Sequence, residues 1–113
     1  MKIAAGVFVV ILTAVAAAPA FAADASMSEG KNVYEKWCAP CHAPGPKHPG
    51  TQALQALYNG DKPAALIERT DLTPDLIATF VRNGVSIMPP FRKTEIGDAD
   101  LASLGAFLSH GSK

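Results

Sequence analysis

Apolar residues recur at helical spacing in three stretches of the chain, and the first of these covers 29–39. Ser28 is a suitable N-cap for it, because its hydroxyl can accept a hydrogen bond from a free amide of the first turn. Pro40 has no amide hydrogen, so the helix should end before it or be distorted there. The apolar residues of this stretch fall on one face: Val33, Tyr34 and Trp37.

The other two patterned stretches lie in the second half of the chain. One follows Thr73 and Pro74, an N-cap and a proline in the first turn, and should stop at Gly84. The last covers 99–109, with Asp98 as its cap and leucines on one face. These boundaries predict two further helices.

The remaining segments combine short helices with loops rich in proline. Partial helical spacing predicts short helices over 52–58 and 63–69, whereas the prolines and glycines of 43–50 predict a loop. An extended loop should cover 85–97. Alternation of β-branched residues, the mark of a strand, is absent. The sequence therefore predicts an all-α domain with three main helices.

The amino terminus has the pattern of an export signal. Lys2 precedes the uncharged run 3–18, Pro19 breaks that run, and small residues around Ala22 suit a signal peptidase. We expect residues 1–22 to be cleaved, with cleavage after Ala23 as the alternative, leaving 23–113 as one domain in the periplasm. The alternative is a retained membrane anchor, although a bilayer span needs roughly 20 strongly apolar residues.

Composition excludes some functions. The chain has 113 residues with 10 Lys+Arg and 10 Asp+Glu, and this balance argues against a partner rich in phosphate such as nucleic acid. The two cysteines, Cys38 and Cys41, are so close that a disulfide between them would close only a tiny loop and contribute little stability. The pair therefore needs a chemical explanation.

Residues 38–42 read Cys-Ala-Pro-Cys-His, the C-x-x-C-H signal for attachment of a c-type haem. Two thiols at this spacing project from one side of a helix end, where they can add to the two vinyl groups of one haem. His42 can then bind the iron. A zinc site would need about four ligands, and a thioredoxin-like redox pair would need a βαβ context. We expect haem c.

A second axial ligand is expected from the loop between the last two helices. Met88 lies there, followed by two prolines that stiffen the backbone. It could instead only fill a gap in the core. The rival ligands are His48, which is close to His42 in the sequence, and His110, which is near the end of the chain.

The chain resembles the class I monohaem cytochromes c, and the resemblance covers roughly residues 26–110. The segment from Gly30 through Tyr34 to the C-x-x-C-H signal is similar to the first helix of that family, and Leu104–Leu108 is similar to its last. The resemblance implies that these two helices cross closely, with Gly30 and Gly105 at the crossing. It also places Tyr34 and Phe107 beside it.

The family resemblance further implies that a proline carbonyl accepts a hydrogen bond from Nδ1 of the axial histidine. Pro49 is the expected residue and Pro46 the alternative. Trp37, Tyr58 and Arg82 could also approach the haem or its propionates, although ordinary packing or a place on the solvated surface explains each of them better.

A narrower resemblance concerns the segment from Val81-Arg82-Asn83-Gly84 to Met88-Pro89-Pro90-Phe91. It resembles the cytochrome subunit of flavocytochromes that oxidise 4-alkylphenols. This likeness implies a flavoprotein dehydrogenase as the electron donor and places Ile87, Pro90 and Phe91 near the docking face.

With both axial positions filled, the expected function is one-electron transfer rather than catalysis. The protein would be a free carrier that passes electrons to a downstream cytochrome, copper protein or oxidase, or else a subunit of a dehydrogenase. A peroxidase or a haem protein that binds ligands would need an open axial position. Membrane insertion is not expected once the signal has been removed.

Overall fold

The computed structural model describes residues 6 and 20–110. Most of the expected signal, at 1–5 and 7–19, and the residues 111–113 lie outside the described part. Within 20–110 the chain contains helices and loops without a β-strand, and the one bridge pairs Val85 with Met88. The predicted all-α class is therefore confirmed.

The first helix is longer than predicted. Helix α1 covers Ala20–Val33, so Ser28 lies inside it and does not cap it. Half of the helical residues before Ser28 are alanine, the best helix former, and this composition extends the helix toward the amino terminus. The expected cleavage point at Ala22 lies within this helix, and cleavage there stays a prediction.

The distortion expected at Pro40 is present as a π-helical turn. This turn, Tyr34–Cys38, joins α1 to the short helix α2, Ala39–His42, and the amide of Ala39 donates to the carbonyl of Tyr34. A proline ring collides with the carbonyl four residues earlier in a regular α-helix. The wider turn moves that carbonyl aside, so the helical path continues through the C-x-x-C-H segment.

The short helices differ from the prediction in length. Helix α3, Pro49–Tyr58, has ten residues and begins earlier than expected, with a proline in its first turn. The predicted helix over 63–69 is reduced to one 3₁₀ turn at Leu66–Glu68.

Helix α4 matches its predicted signals, whereas α5 differs from the prediction at its first turn. Helix α4 is Pro74–Asn83, and the hydroxyl of Thr73 accepts a hydrogen bond from the amide of Leu76 at 3.2 Å. Gly84 ends it with φ of 68°. Helix α5 is Asp98–His110, so Asp98 is its first residue and not its cap. The amide of Leu101 donates to the carbonyl of Gly97, and the Asp98 carboxylate instead pairs with Arg82 and Lys93.

Helices α1, α4 and α5 pack around a common core. A Cβ at Gly30 would overlap the carbonyl oxygen of Ser103 and lie 2.6 Å from Cβ of Phe107, so α1 and α5 cross at Gly30 with their backbones close together. The ring centroids of Tyr34 and Phe107 are 5.7 Å apart beside this crossing. The buried apolar residues of the core include Val33, Leu72, Ile77, Val81, Ile96 and Leu104.

Gly105 does not lie at that crossing. A Cβ there would lie 3.0 Å from Cβ of Pro74, so Gly105 faces the start of α4 instead. Ser103 and Phe107 are four residues apart and share the α5 face toward α1, whereas Gly105 falls nearly opposite. The prediction that Gly105 lies at the crossing with α1 was therefore wrong. Gly105 does allow a close approach, but between α5 and the start of α4.

Candidate functional site

An apolar cavity of about 310 Å³ lies between α2, α3, α4 and α5 and is bordered by the loop 84–97. Its wall consists mainly of aliphatic side chains from these segments. They include Leu54, Leu72, Leu76, Ile77, Leu104 and Leu108. Because several of them also belong to the buried core, whatever fills the cavity completes that core.

The three reactive residues of the C-x-x-C-H signal all line this cavity. Both thiols are free, with Cys38 half-buried and Cys41 exposed. The pKa of Cys38 is raised to about 12, mainly by burial and to a smaller extent by the nearby Cys41. This thiol is therefore neutral at physiological pH. The π-helical turn ends at Cys38, and α2 then carries Cys41 and His42 on the same continuous path.

His42 presents its ring to the cavity with one nitrogen enclosed by protein. Its Nδ1 is buried and makes no hydrogen bond within the described part of the chain. Burial lowers the pKa of His42, which favours the neutral imidazole at physiological pH. The neutral ring is the form that binds metals.

Neither of the two expected prolines forms the predicted hydrogen bond to His42 in the structure. Pro49 begins α3, where helical carbonyls point along the axis toward the carboxyl end, and its ring lines the cavity. The carbonyl of Pro46 accepts a hydrogen bond from Nε2 of Gln52. Gly50 lies against the imidazole: a Cβ there would be 2.7 Å from Cε1 of His42.

Met88 also belongs to the cavity wall, where it is half-buried in the loop between α4 and α5. The rival ligands lie elsewhere. His48 is outside the wall, with Nδ1 3.1 Å from the carbonyl oxygen of Pro40, and His110 is exposed at the end of α5. Met88 and His42 are therefore the pair of expected ligands that share the cavity.

A buried arginine that the sequence analysis did not single out contributes to the same wall. Arg69 is 8% exposed; its Nε and Nη2 each donate to the Asp71 carboxylate at 2.7 Å, and its Nη1 donates to the Tyr58 hydroxyl at 2.8 Å. Tyr58 lines the cavity, as the sequence suggested, whereas Arg82 does not. The signal for Arg69 was its place two positions before an aspartate, between the apolar run 63–67 and Leu72.

The exposed large hydrophobic residues of the described segments all line this cavity. They are Leu57, Phe80, Val85 and Ile87. Ile87 is 81% exposed and Leu57 74%, which is costly for side chains of this kind unless another group covers them. We call these four residues the apolar rim.

Phe91 is not part of that rim. It is half-buried, and its ring meets Trp37 edge-on with the centroids 5.9 Å apart. Pro90 is exposed but is not in the cavity wall. Of the three residues expected near a docking face, Ile87 alone is both exposed and on the rim, whereas Phe91 packs against the domain.

The wall has the chemistry that a haem c requires. It combines a largely apolar surface with two free thiols, an imidazole, a thioether and a buried cation. A zinc site would need a cluster of His, Cys, Asp or Glu, and no group of three such residues suited to a metal occurs in the described segments. None of the helices described is long and apolar enough to span a membrane.

Comparison with known proteins agrees with this chemistry. The family model described as "Cytochrome C oxidase, cbb3-type, subunit III" matches residues 23–108. The chain is 30% identical to the 4-cresol dehydrogenase [hydroxylating] cytochrome c subunit of Pseudomonas putida, over 77% of this chain and 64% of that protein, just under two thirds of its length.

A second relative is covered more completely. The chain is 31% identical to cytochrome c-552 of Bradyrhizobium diazoefficiens, over 82% of this chain and 85% of that protein. No solved structure matches the chain at a comparable level of significance. With the C-x-x-C-H signal in the wall of an apolar cavity, these matches show that the chain belongs to the cytochrome c family, whose members carry covalently bound haem c and transfer electrons.

Proposed function

We propose that this protein is a periplasmic one-electron carrier in which His42 and Met88 bind the two axial positions of a single haem iron. The observation that carries the proposal is the shared cavity, since both side chains and both cysteines contribute to one apolar wall. A haem c bound there supplies Fe(II)/Fe(III) chemistry.

The chain's own residues would set the ligation. Nδ1 of His42 is enclosed beside Gly50, which leaves Nε2 as the nitrogen available to the iron. Met88 offers a thioether, a ligand that raises the potential of a haem. Filling both axial positions excludes substrate and oxygen from the metal, which favours electron transfer over catalysis.

Arg69 and Tyr58 would hold the charged edge of the haem. They are polar residues in an otherwise largely apolar wall. The Tyr58 hydroxyl accepts from Arg69, so its own hydrogen is available to a carboxylate such as a haem propionate. Asp71 keeps the guanidinium in place from the other side.

The apolar rim together with Cys41 would be the contact surface for redox partners. Its side chains are exposed and line the cavity, so a partner that docks on them would bring its cofactor close to the haem edge. A free carrier needs only a small contact there, below about 1,200 Å² of buried surface.

A dehydrogenase is the proposed electron donor, and a dehydrogenase subunit is the second candidate function. The match to a cytochrome c subunit of 4-cresol dehydrogenase favours a flavoprotein that oxidises alkylphenols. The match to cytochrome c-552, which covers more of the relative, favours a free carrier with a downstream cytochrome, copper protein or oxidase as acceptor.

Purification of the untagged protein from its own periplasm tests these proposals together. We expect a mature chain that begins at Ala23 and carries the mass of one haem, with a ferric spectrum that contains the methionine–iron charge-transfer band. A protein retained in the membrane fraction with residues 1–22 attached would overturn the periplasmic assignment. Absence of the band would overturn ligation by Met88.

The same preparation separates the two candidate functions. A dehydrogenase subunit should co-purify with a flavoprotein in a fixed ratio, whereas a free carrier should elute alone and be reduced by the donor only transiently. Ile87→Ser should slow that reduction without changing the haem spectrum, and Thr94→Ser, on the exposed part of the same loop but outside the cavity wall, is the control.

A further inference from the structure

The loop that carries Met88 begins with a tight turn. The amide of Met88 donates to the carbonyl of Val85 at 2.9 Å, and the amide of Val85 donates back at 3.1 Å. Gly84 and Ser86 both have positive φ, and a Cβ at Gly84 would lie 2.6 Å from the carbonyl oxygen of Met88. This turn sets the backbone conformation at Met88. The tip of the turn is exposed, so the turn does not by itself attach the loop to the rest of the domain.

The attachment lies beyond the prolines, on the far side of the loop. The amide of Phe91 donates to the carbonyl of Val81 at 2.7 Å. Nη1 of Arg82 donates to the carbonyl oxygen of Phe91 at 3.1 Å and to that of Ile96 at 2.8 Å. Nη2 of the same side chain donates to Asp98 at 3.0 Å. One guanidinium therefore joins α4, the returning half of the loop and the start of α5.

We propose that Arg82 is a positioning residue that anchors the Met88 loop through its hydrogen bonds to the Phe91 and Ile96 carbonyls and so determines how firmly Met88 is held toward the cavity. As a statement about the iron, this inference rests on the proposed ligation by Met88. Arg82 itself is outside the cavity wall, so it acts through the loop and not by contact with the cofactor.

The carbonyl bonds matter more than the ion pair. The Arg82 side chain is 23% exposed, whereas Asp98 is 67% exposed and also pairs with Lys93 at 2.9 Å. Water and Lys93 can replace Arg82 at Asp98, and exposed pairs contribute little. Ile96 is fully buried, so its carbonyl would be left without this donor if Arg82 were replaced.

Only a guanidinium can supply all three contacts. Its planar fork presents five donors, and two carbonyls on different segments share one nitrogen while the carboxylate takes the other. A lysine ammonium is a compact charge and does not reproduce this fork. Arg82→Lys keeps the positive charge but loses the fork, so this variant tests whether the geometry of the donors matters or only the charge.

The test compares four variants of the haem-loaded protein: Arg82→Gln, Arg82→Lys, Asp98→Asn and Arg92→Gln. Arg92 is the matched control, since it carries the same charge on the same loop but is 82% exposed and pairs with Glu95 at 3.8 Å. One measurement is the denaturant midpoint for loss of the methionine–iron band, relative to the midpoint for loss of helix. The other is amide hydrogen exchange at Met88 and Phe91.

We expect Arg82→Gln to separate the two midpoints, with the band lost first. It should also speed exchange of the Phe91 amide by about tenfold, because that amide is bonded to Val81 and opens more often once the Arg82 bonds to the Phe91 and Ile96 carbonyls are lost. Arg82→Lys should behave like Arg82→Gln, while Asp98→Asn and Arg92→Gln should resemble the parent. If Arg82→Gln fails to fold, the contrast between Arg82→Lys and Asp98→Asn decides the question.

The inference is overturned by parental exchange and midpoints in both Arg82 variants, by an equal effect of Asp98→Asn, or by an equal effect of Arg92→Gln. If both midpoints fell equally and their separation stayed unchanged, Arg82 would stabilise the whole domain and not the loop in particular. That result would also overturn the inference. A parent protein without the methionine–iron band would instead contradict the proposed ligation, and hydrogen exchange alone would then decide whether Arg82 anchors the loop.

Discussion

The backbone of Gly50 lies directly against the imidazole of His42. A Cβ built on Gly50 would be 2.7 Å from Cε1 and 3.0 Å from Nδ1 of that ring, and 2.8 Å from the carbonyl oxygen of Cys41. Atoms this close must move, and the Cys41 carbonyl belongs to the helix that carries the ligand. Glycine at position 50 therefore lets α3 approach the histidine closely enough to fix its ring.

Gly50→Ala should displace the His42 ring and weaken the holoprotein. Overpacking of this kind costs about 1–3 kcal/mol of unfolding free energy. We expect a lower denaturant midpoint together with a shifted haem spectrum. Gln55→Ala is the control, because Gln55 is exposed on the same helix and outside the cavity wall. A parental spectrum and midpoint in Gly50→Ala would show that α3 can move away without consequence.

Met88→Ala should remove the methionine–iron band, lower the reduction potential and allow carbon monoxide to bind the ferrous protein. The reason is that alanine cannot occupy the axial position that the thioether fills. Met88→His should restore six-coordination at a lower potential. Met27→Ala is the matched control, since Met27 lies on α1 away from the cavity. If Met88→Ala and Met27→Ala give the same spectra, a different residue is the ligand.

Gly30→Ala should destabilise the crossing of α1 and α5. The added carbon would overlap the Ser103 carbonyl oxygen and lie 2.6 Å from Cβ of Phe107, so the helices must separate at a cost of about 1–3 kcal/mol. Thermal unfolding measures this. Gly97→Ala should be nearly neutral, because its nearest neighbour would be 3.9 Å away. Equal melting temperatures for the two variants would mean that the crossing tolerates the carbon.

The pairing of Asp71 with Arg69 should make stability depend on pH in acid. The hydrogen bonds from Arg69 are the main cause that holds the pKa of Asp71 well below its ordinary value of 3.8. A depressed carboxyl pKa adds stability above the unfolded-state pKa and loses it as pH falls toward the folded-state value. Asp71 is exposed, which limits the gain to about 1 kcal/mol at pH 7.

Asp71→Asn tests this dependence, because asparagine resembles the protonated acid. We expect the variant to be less stable than the parent at pH 7 and the difference to shrink steadily below pH 3.8. Chemical denaturation at several pH values measures it. A difference that stays constant down to pH 2 would mean that the charge of Asp71 is not the cause. Asp61→Asn, on an exposed site in the turn after α3, is the control.

Removing both thiols should leave the domain largely unfolded. The cavity of about 310 Å³ is bounded by core residues such as Ile96 and Leu104, so the cofactor completes the core. Cys38→Ala combined with Cys41→Ala should lose most of the roughly 5–15 kcal/mol that a domain of this kind has. Circular dichroism during heating measures this. A cooperative transition in the haem-free variant would contradict it, and Cys38→Ala alone, which keeps one thiol, is the intermediate comparison.

The sequence by itself determined the features that depend on neighbouring residues. Thr73 and Pro74 start α4 where the capping rules place it, and Gly84 ends it, because caps act within one helical turn. The C-x-x-C-H signal is contiguous, so the cofactor, and with it the expected attachment site, followed from five consecutive residues. The sequence also showed that Met88 follows the end of α4 and precedes two prolines, because these features lie within a few residues of one another.

The tertiary structure decided which distant residues meet. Local patterns placed Ser28 at the start of a helix, but the alanines before it extended α1. Gly105 met α4 and not α1, Gly50 lay against the His42 imidazole, and Arg69 entered the cavity wall beside Tyr58, eleven residues away. These contacts depend on how helices rotate and pack against one another, and that arrangement minimises the free energy of the whole domain and is not encoded in any single segment.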